Sequence, residues 1–313
     1  MPSLEIPTQL PFLQAICWQI RDVQVLTPLE MLQQYERGWH YQGSLAELSP
    51  QEQRFVRNLA RYYGSHLMTL FSQPQHQQIM QVLRQLKSDF LQVCKVYFGG
   101  GTLLALAYDE YRLSYDLDFL CSDVTGYRQL RQAIFTDQYQ ALFQDFDQLF
   151  LPREIQTNQY GVRFPVVIAG QTIRVEIIAE GRITLDPPTT PDWCPVNCLS
   201  AIDQAAEKLL ANSDRWSDAS VMSRDLIDLA MLRYHGALPA AAFTKAEAAY
   251  PVIEPLQRAI ESFQAKPDYR QRCYTHLQVK RLNQVIDGLD QLAADFSLAA
   301  TQRVFQENAE IAH

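Results

Sequence analysis

At 313 residues, 47% of them hydrophobic and 20% charged, the chain carries enough apolar material for two domains of roughly 150 residues each. Its 27 basic and 35 acidic residues leave a net charge of −8, which argues against a protein that coats nucleic acid non-specifically but leaves room for a local basic patch. No apolar run approaches the ~20 residues needed to span a bilayer, and the six cysteines read as reduced thiols of a cytoplasmic protein.

The opening stretch MPSLEIPTQLPFLQ lacks a basic n-region and is interrupted by Pro2, Pro7 and Pro11, so no signal peptide is expected there. Residues 1–94 read as mostly helical. Ser49, Pro50 and Glu52 form a helix-start signature, with Ser49 as N-cap, Pro50 at the first position and Glu52 completing a capping box. From Gln77 to Cys94 the apolar residues follow a helical period.

The period then changes. Val96–Phe98 reads as a short strand, Thr102–Tyr108 as helical, and Tyr115–Cys121 alternates as a strand. Tyr127–Phe150 is again helical, with a break near Thr136. Three strand-like segments follow, Arg153–Thr157, Val162–Ile168 and Thr172–Ala179, the last two joined by the hairpin signal Ala169-Gly170-Gln171. Pro165 calls for an edge position, since it cannot donate to a ladder. Pro187, Pro188, Pro191 and Pro195 mark residues 183–197 as a connector. Beyond it the chain reads as helical, with Ser200 and Asp203 as a capping box and Ser223 capping a second helix. The fold class is therefore α+β: a helical N-terminal region (1–94), a core with a small mixed sheet (95–195) and a helical C-terminal domain (196–313).

The chemistry concentrates between Tyr97 and Phe119. Gly99, Gly100, Gly101 and Thr102 lie between a strand and a helix start, where free amides and the helix dipole favour an anion. They form neither a Walker loop nor a dinucleotide fingerprint, and alone they are better read as a tight turn. Asp116 and Asp118 stand at i and i+2 of a strand, on one face and about 7 Å apart. Aspartate is a poor strand former, so two in a short apolar strand need a reason. A divalent cation between them removes the repulsion and creates a place for nucleotide phosphates, which is the logic of a nucleotidyltransferase.

Glu176 is the best third carboxylate, because Ile173, Val175 and Ile177 take the buried face of its strand; Glu180 is a weaker one. Taken singly, Glu176 reads as a surface pair with Arg174. Arg112 and Ser114 precede the acids, and Arg112 suits the orientation of a phosphate or of the acid strand. Lys208 can reach a phosphate as a point charge, although a lone lysine is more often solvated. Asp225 is favoured in a first helical turn by the dipole alone, and Arg224 with Asp228 reads as an i, i+4 pair worth about 0.3–0.5 kcal/mol if exposed. Lys266–Arg281 mixes basic residues with Tyr269, Tyr274 and His276; it suits a single-stranded RNA partner, with a solvated helix face the commoner fate of such a segment.

The order of these signatures resembles the AbiEii/AbiGii toxin-type nucleotidyltransferases of the polymerase-β-like superfamily. The resemblance rests on Gly-Gly-Thr with Arg112-x-Ser114-x-Asp116-x-Asp118-Phe119, then Glu207-Lys208-Leu209-Leu210, then Arg224-Asp225-Leu226-Ile227-Asp228-Leu229, and it spans roughly residues 95–233. It implies a polymerase-β-like core and a two-metal, Mg²⁺-dependent transfer of an NMP from an NTP to an acceptor hydroxyl. In family members studied as toxins that acceptor is tRNA, and an antitoxin protein is the implied partner. Carried over, Asp116, Asp118, Glu176 and Asp225 would be the catalytic acids, the first three as metal ligands. Gly100, Gly101, Thr102, Arg112, Ser114 and Lys208 would bind the nucleotide. The chain departs from the pattern in having Gly-Thr for the usual Gly-Ser and in its long N-terminal region. Two alternatives stand beside this reading: a non-catalytic nucleotide-sensing or protein-binding module on the same fold, and a small-molecule adenylyltransferase, which the overall acidity favours slightly over an RNA acceptor.

Overall fold

A computed structural model of the protein describes residues 6–41, 45–46, 48–63, 65, 71, 73–145 and 149–304. The chain divides into two compact units, residues 1–72 and 73–313.

The first unit contains helices α1 (Pro11–Ile16), α2 (Pro28–Gly38) and α3 (Pro50–Tyr63). Each opens with proline, where the missing N–H costs no helical bond and φ is already set. Phe12, Leu13, Met31, Leu32, Tyr35, Phe55 and Leu59 form its core. Ser49 caps α3 by accepting from the Glu52 N–H at 3.1 Å, as expected. Glu52 turns inward instead of closing the box. Its carboxylate accepts from the N–H groups of Phe12 and Leu13 (3.0 and 2.8 Å) and from the Tyr35 hydroxyl (2.9 Å). A fully buried carboxylate needs such donors, and here they are the otherwise unsatisfied amides at the start of α1.

The second unit begins with α4 (Pro74–Gln85) and α5 (Ser88–Val93) and then forms a five-stranded sheet. Its strands are β1 (Tyr97–Gly99), β2 (Leu117–Cys121), β3 (Gln156–Thr157), β4 (Gly161–Ile168) and β5 (Gln171–Ala179), in the order β1-β2-β5-β4-β3. β2 and β5 run parallel and the other neighbours antiparallel, so the sheet is mixed, as expected. Helix α6 (Gly100–Ala107) joins β1 to β2. After β2 come α7 (Val124–Asp137) and α8 (Tyr139–Leu142), split at Gln138, whose φ of 50° breaks the helix just beyond Thr136. Helix thus ends at Leu142, short of the expected Phe150, and residues 146–148 of that reading lie outside the described residues.

The β4–β5 turn is a two-residue loop, Ala169 (φ 49°) and Gly170 (φ 79°), of the hand that matches strand twist. The Val167 N–H donates to the Phe150 carbonyl rather than to β5. Pro165, two residues earlier, therefore directs its missing donor to that same outer side, between the short β3 and the Phe150 bridge, and costs no ladder bond. The proline-rich connector ends as a guard on β1: the Phe98 N–H donates to Asn197 (2.8 Å) and the Leu199 N–H to Phe98 (2.9 Å).

The remaining helices are α9 (Ala201–Arg215), α10 (Arg224–His235), α11 (Ala240–Glu247), α12 (Ile253–Gln264), α13 (Pro267–His276) and α14 (Leu282–Asp295). Their core, including Leu209, Ile227, Met231, Ile260 and Ile286, continues through Leu104, Ala105 and Tyr111 of the α6 region. Ser200 caps α9 through the Asp203 N–H (3.1 Å), but Asp203 spends its carboxylate on the Asp186 N–H and Lys245. Ser223 occupies the N-cap position of α10 without capping; its φ is 47° and its hydroxyl meets that of Tyr269. Among the described residues no helix is long and apolar enough to cross a membrane.

Candidate active site

Strand register brings the acids together. Asp118 sits opposite Gly99 on β1 and Glu176 on β5, and Asp116 lies just before β2 on the same face. Leu117, Phe119, Val175 and Ile177 are buried on the other face. Arg174 and Glu176 do not pair with each other. Arg174 Nη2 donates to Asp116 Oδ2 at 2.6 Å, and Arg163, directly across from Glu176 on β4, donates to Glu176 Oε1 at 2.6 Å through Nε. Asp118 has neither a hydrogen-bond nor an ion-pair partner among the described residues. Burial, then repulsion from Asp116, raise its pKa; Lys208 offsets part of this and Glu176 adds to it. With two of the three acids turned onto arginines, no group of three His, Cys, Asp or Glu side chains converges as a metal-ligand set among the described residues.

The glycine turn is shaped by what lies against it. Gly100 has φ +70°, and a Cβ there would fall 2.5 Å from Asp118 Oδ2; at Gly101 it would fall 2.1 Å from Arg112 Nη2. Both glycines line the cavity, and the start of α6 has no side-chain cap. Thr102, read as a nucleotide contact, is only 1% exposed and lies outside the cavity lining. Its hydroxyl bonds the Asp116 carbonyl (2.5 Å) and the Ser114 hydroxyl (2.8 Å), which ties α6 to the acid loop. The same loop is held from the C-terminal side, where the Leu113 N–H donates to Leu277 (2.9 Å) and the Lys280 N–H to Tyr111 (2.8 Å).

Behind the cavity lies a buried ion network. Arg112 grips Asp228 with Nε and Nη2 (2.6 and 2.8 Å), and the Tyr111 hydroxyl donates to the same carboxylate at 2.5 Å. Lys208 bridges Asp228 (2.6 Å) and Asp225 (3.0 Å), and Arg215 adds two bonds to Asp225 (2.6 and 3.0 Å). Three cations meet two anions, and all three cations line the cavity while neither aspartate does. The surplus positive charge therefore faces the open space. Burial pushes both carboxyls up, but Lys208 and Arg215 outweigh it at Asp225, and Arg112 and Lys208 at Asp228, so both lie below the usual carboxylate range. The Arg224–Asp228 surface pair does not form: Asp228 is fully buried and Arg224 lines the cavity. Asp225 positions Lys208 and Arg215 from behind.

The cavity, about 450 Å³, is closed on the far side by Gln204, Glu207, Lys208 and Ala211, one face of α9. Arg182 ties Glu180 (2.6 Å) to Glu207 (2.8 Å). Glu180, the weaker third-carboxylate candidate, is buried in that contact and does not line the cavity. Glu207 sits against Glu180, and burial plus repulsion from Glu180 push its pKa up to about 8. Arg163, Arg182 and Arg215 are residues of this region that the sequence reading did not name, while Arg174 appeared there only as a surface pair and Glu207 only in the family signature. The register of β4 and β5 is the signal that could have revealed Arg163, since the hairpin alone puts it opposite Glu176.

The sequence profile described as "Nucleotidyl transferase AbiEii toxin, Type IV TA system" matches residues 81–279, a span holding every residue that lines this cavity. The chain belongs to this family. It is accordingly a nucleotidyltransferase, and the alternative of a non-catalytic module loses its footing. Solved structures similar to the AbiEii-family chain include JHP933 from Helicobacter pylori (19% identity, TM-score 0.39, covering 71% of this chain and 88% of that one) and a further H. pylori protein (16%, 0.39, 76% and 96%). An antigenic nucleotidyltransferase-like protein from Paracoccidioides brasiliensis is also similar (16%, 0.37, 67% and 95%). No curated protein matches the chain.

Proposed function

We propose that this chain is the toxin of a toxin–antitoxin pair and moves an NMP from an NTP, with Mg²⁺, onto a hydroxyl of an RNA acceptor such as tRNA in the cytoplasm. The observation that carries this reading is one cavity in which a carboxylate face of the sheet confronts a net-positive cluster of Arg112, Lys208 and Arg215. The donor set suits a hard divalent cation: three carboxylates share a face, and Asp118 is unpaired with its charge disfavoured. Asp116, Asp118 and Glu176 would hold the ion, and Arg174 and Arg163, with side chains 57% and 42% exposed, have the freedom to move aside. When bound, the ion would neutralise phosphate charge and activate the acceptor hydroxyl.

The chain's own residues do the positioning. Gly100 and Gly101 let phosphates approach the start of α6. Lys208 and Arg215, held by Asp225, draw the triphosphate into line, and Ser114 and Arg112 border it. Transfer of labelled NTP to bulk tRNA tests the reading. The double variant Asp116→Asn/Asp118→Asn is expected to lose transfer while keeping its fold; undiminished labelling by it would end the assignment. The net charge of −8 supports a second reading, a small-molecule acceptor, in which labelling of RNA would be absent in the wild type as well.

A further inference from the structure

A second cavity, about 640 Å³, adjoins the first and is lined by Trp216, Ser223, Arg258, Lys266, Tyr269 and Arg272, among others. Two pairs of chain neighbours form the wall between the cavities. Arg215 faces the catalytic cavity and Trp216 the second one; Arg224 faces the catalytic cavity and Ser223 the second one.

The charge in this second cavity is only partly compensated: Glu261 lines it beside Arg258, Lys266 and Arg272, which leaves the lining net positive. Lys266 Nζ reaches only the Ser262 hydroxyl (3.0 Å), and Arg272 lies over the Tyr269 ring at 5.7 Å; neither has a carboxylate partner among the described residues. Arg258 pairs with Glu254 in an exposed contact of 2.5 Å, which screening weakens. In a chain with a net charge of −8, this local excess of solvent-facing cations at the catalytic wall suits an anionic occupant. Trp216 and Tyr269, both half-buried, add ring faces at the same place, over a floor of buried Ala259 and Phe263. Tyr269 is fixed by its hydroxyl, which bonds Ser223 (3.1 Å) at the start of α10. Cations that take phosphates, beside rings on which any base stacks, are what a single strand of nucleic acid needs.

We propose that this cavity seats the acceptor RNA strand next to the reacting end, with Lys266 and Arg272 on its phosphates and Tyr269 stacked on a base. The inference rests on the RNA-acceptor reading and adds where that acceptor lies. Lys266 and Arg272 are exposed, so reversing their charge leaves the fold intact. In the full-length chain, Lys266→Glu/Arg272→Glu is expected to raise the KM for tRNA about tenfold or more. The same variant should bind a labelled short single-stranded RNA correspondingly more weakly, with a salt dependence shallower by about 0.7 per lost phosphate contact, and keep the KM for NTP unchanged. Tyr269→Ala is expected to cost about tenfold in RNA binding, and Tyr269→Phe, which keeps the ring, to restore it. An unchanged tRNA KM and salt slope in the charge-reversal variant, with the wild type labelling tRNA, overturns the placement alone; that is the result a protein partner in this cavity would give. A phenylalanine variant as impaired as the alanine one overturns the stacking role. A wild type that labels a small-molecule acceptor but neither binds nor labels RNA overturns the acceptor reading and this placement with it.

Discussion

Asp118 is a residue whose surroundings favour function over stability. Its raised pKa means that ionising it costs the folded state, so its contribution to stability declines as pH rises from the unfolded to the folded pKa. Asp118→Asn should remove that cost, raising the metal-free melting temperature by about 2–4 °C while abolishing transfer. A thermal melt with and without Mg²⁺ checks both parts, since Mg²⁺ should stabilise the wild type and leave the variant unmoved. Glu207 makes a second residue-scale prediction. Between the ordinary 4.5 and about 8 the folded chain keeps a proton that the unfolded chain has released, so this group's share of stability falls across that window and is level above it. Above about pH 8 the cavity gains a negative charge on the wall that faces the proposed triphosphate site. The KM for NTP should therefore climb there in the wild type and stay flat in Glu207→Gln. The shared face of Asp116 and Asp118 was legible in the sequence because i and i+2 in extended backbone is a local relation, although the strand itself starts only at Leu117. The Arg112–Asp228 grip was not, since its partners lie 116 positions apart and only the packing of α10 against α6 joins them.

Between elements, the buried Arg112–Asp228–Lys208 contact holds three segments in place: the loop before β2, α9 and α10. Removing one partner leaves a charge stranded away from water. Asp228→Ala is expected to destabilise the second unit by about 3–5 kcal/mol, against about 0.3–0.5 for breaking the exposed Arg258–Glu254 pair on α12. Denaturant titration of the two variants separates them, and equal effects would mean that the network bears no such load. Because Asp225 and Asp228 have lowered pKa values, their stabilising share is present above the unfolded carboxylate pKa and fades as pH falls through the folded values. The helices themselves were legible from period and proline, whereas the fate of their capping residues was not. Glu52, Asp203 and Ser223 each found a partner on another element, which no local pattern of Ser and Glu can announce. The glycine turn shows the reverse. Its place was plain from the sequence, but part of its reason is steric, namely the pressure of Asp118 and Arg112 on Gly100 and Gly101.

Across the whole molecule, an acidic chain gathers cations at the walls of two adjoining cavities, facing the sheet carboxylates in the first and outnumbering Glu261 in the second. Net charge alone pointed away from RNA; the distribution of charge points toward it at one place, and salt dependence rather than bare affinity is the quantity that tells the two apart. The mixed sheet was foreseeable from the short alternating segments and the hairpin, but its strand order was not, since β2 pairs with β5 across the whole stretch 122–170, which holds α7, α8, β3 and β4. The two backbone bonds from Tyr111 and Leu113 to Lys280 and Leu277 bear on the timing of activity in a growing chain. The loop carrying the acids is made well before the turn after α13 that clamps it. A nascent chain would thus hold the acid loop unclamped until α13 and the turn after it have emerged and folded back onto it.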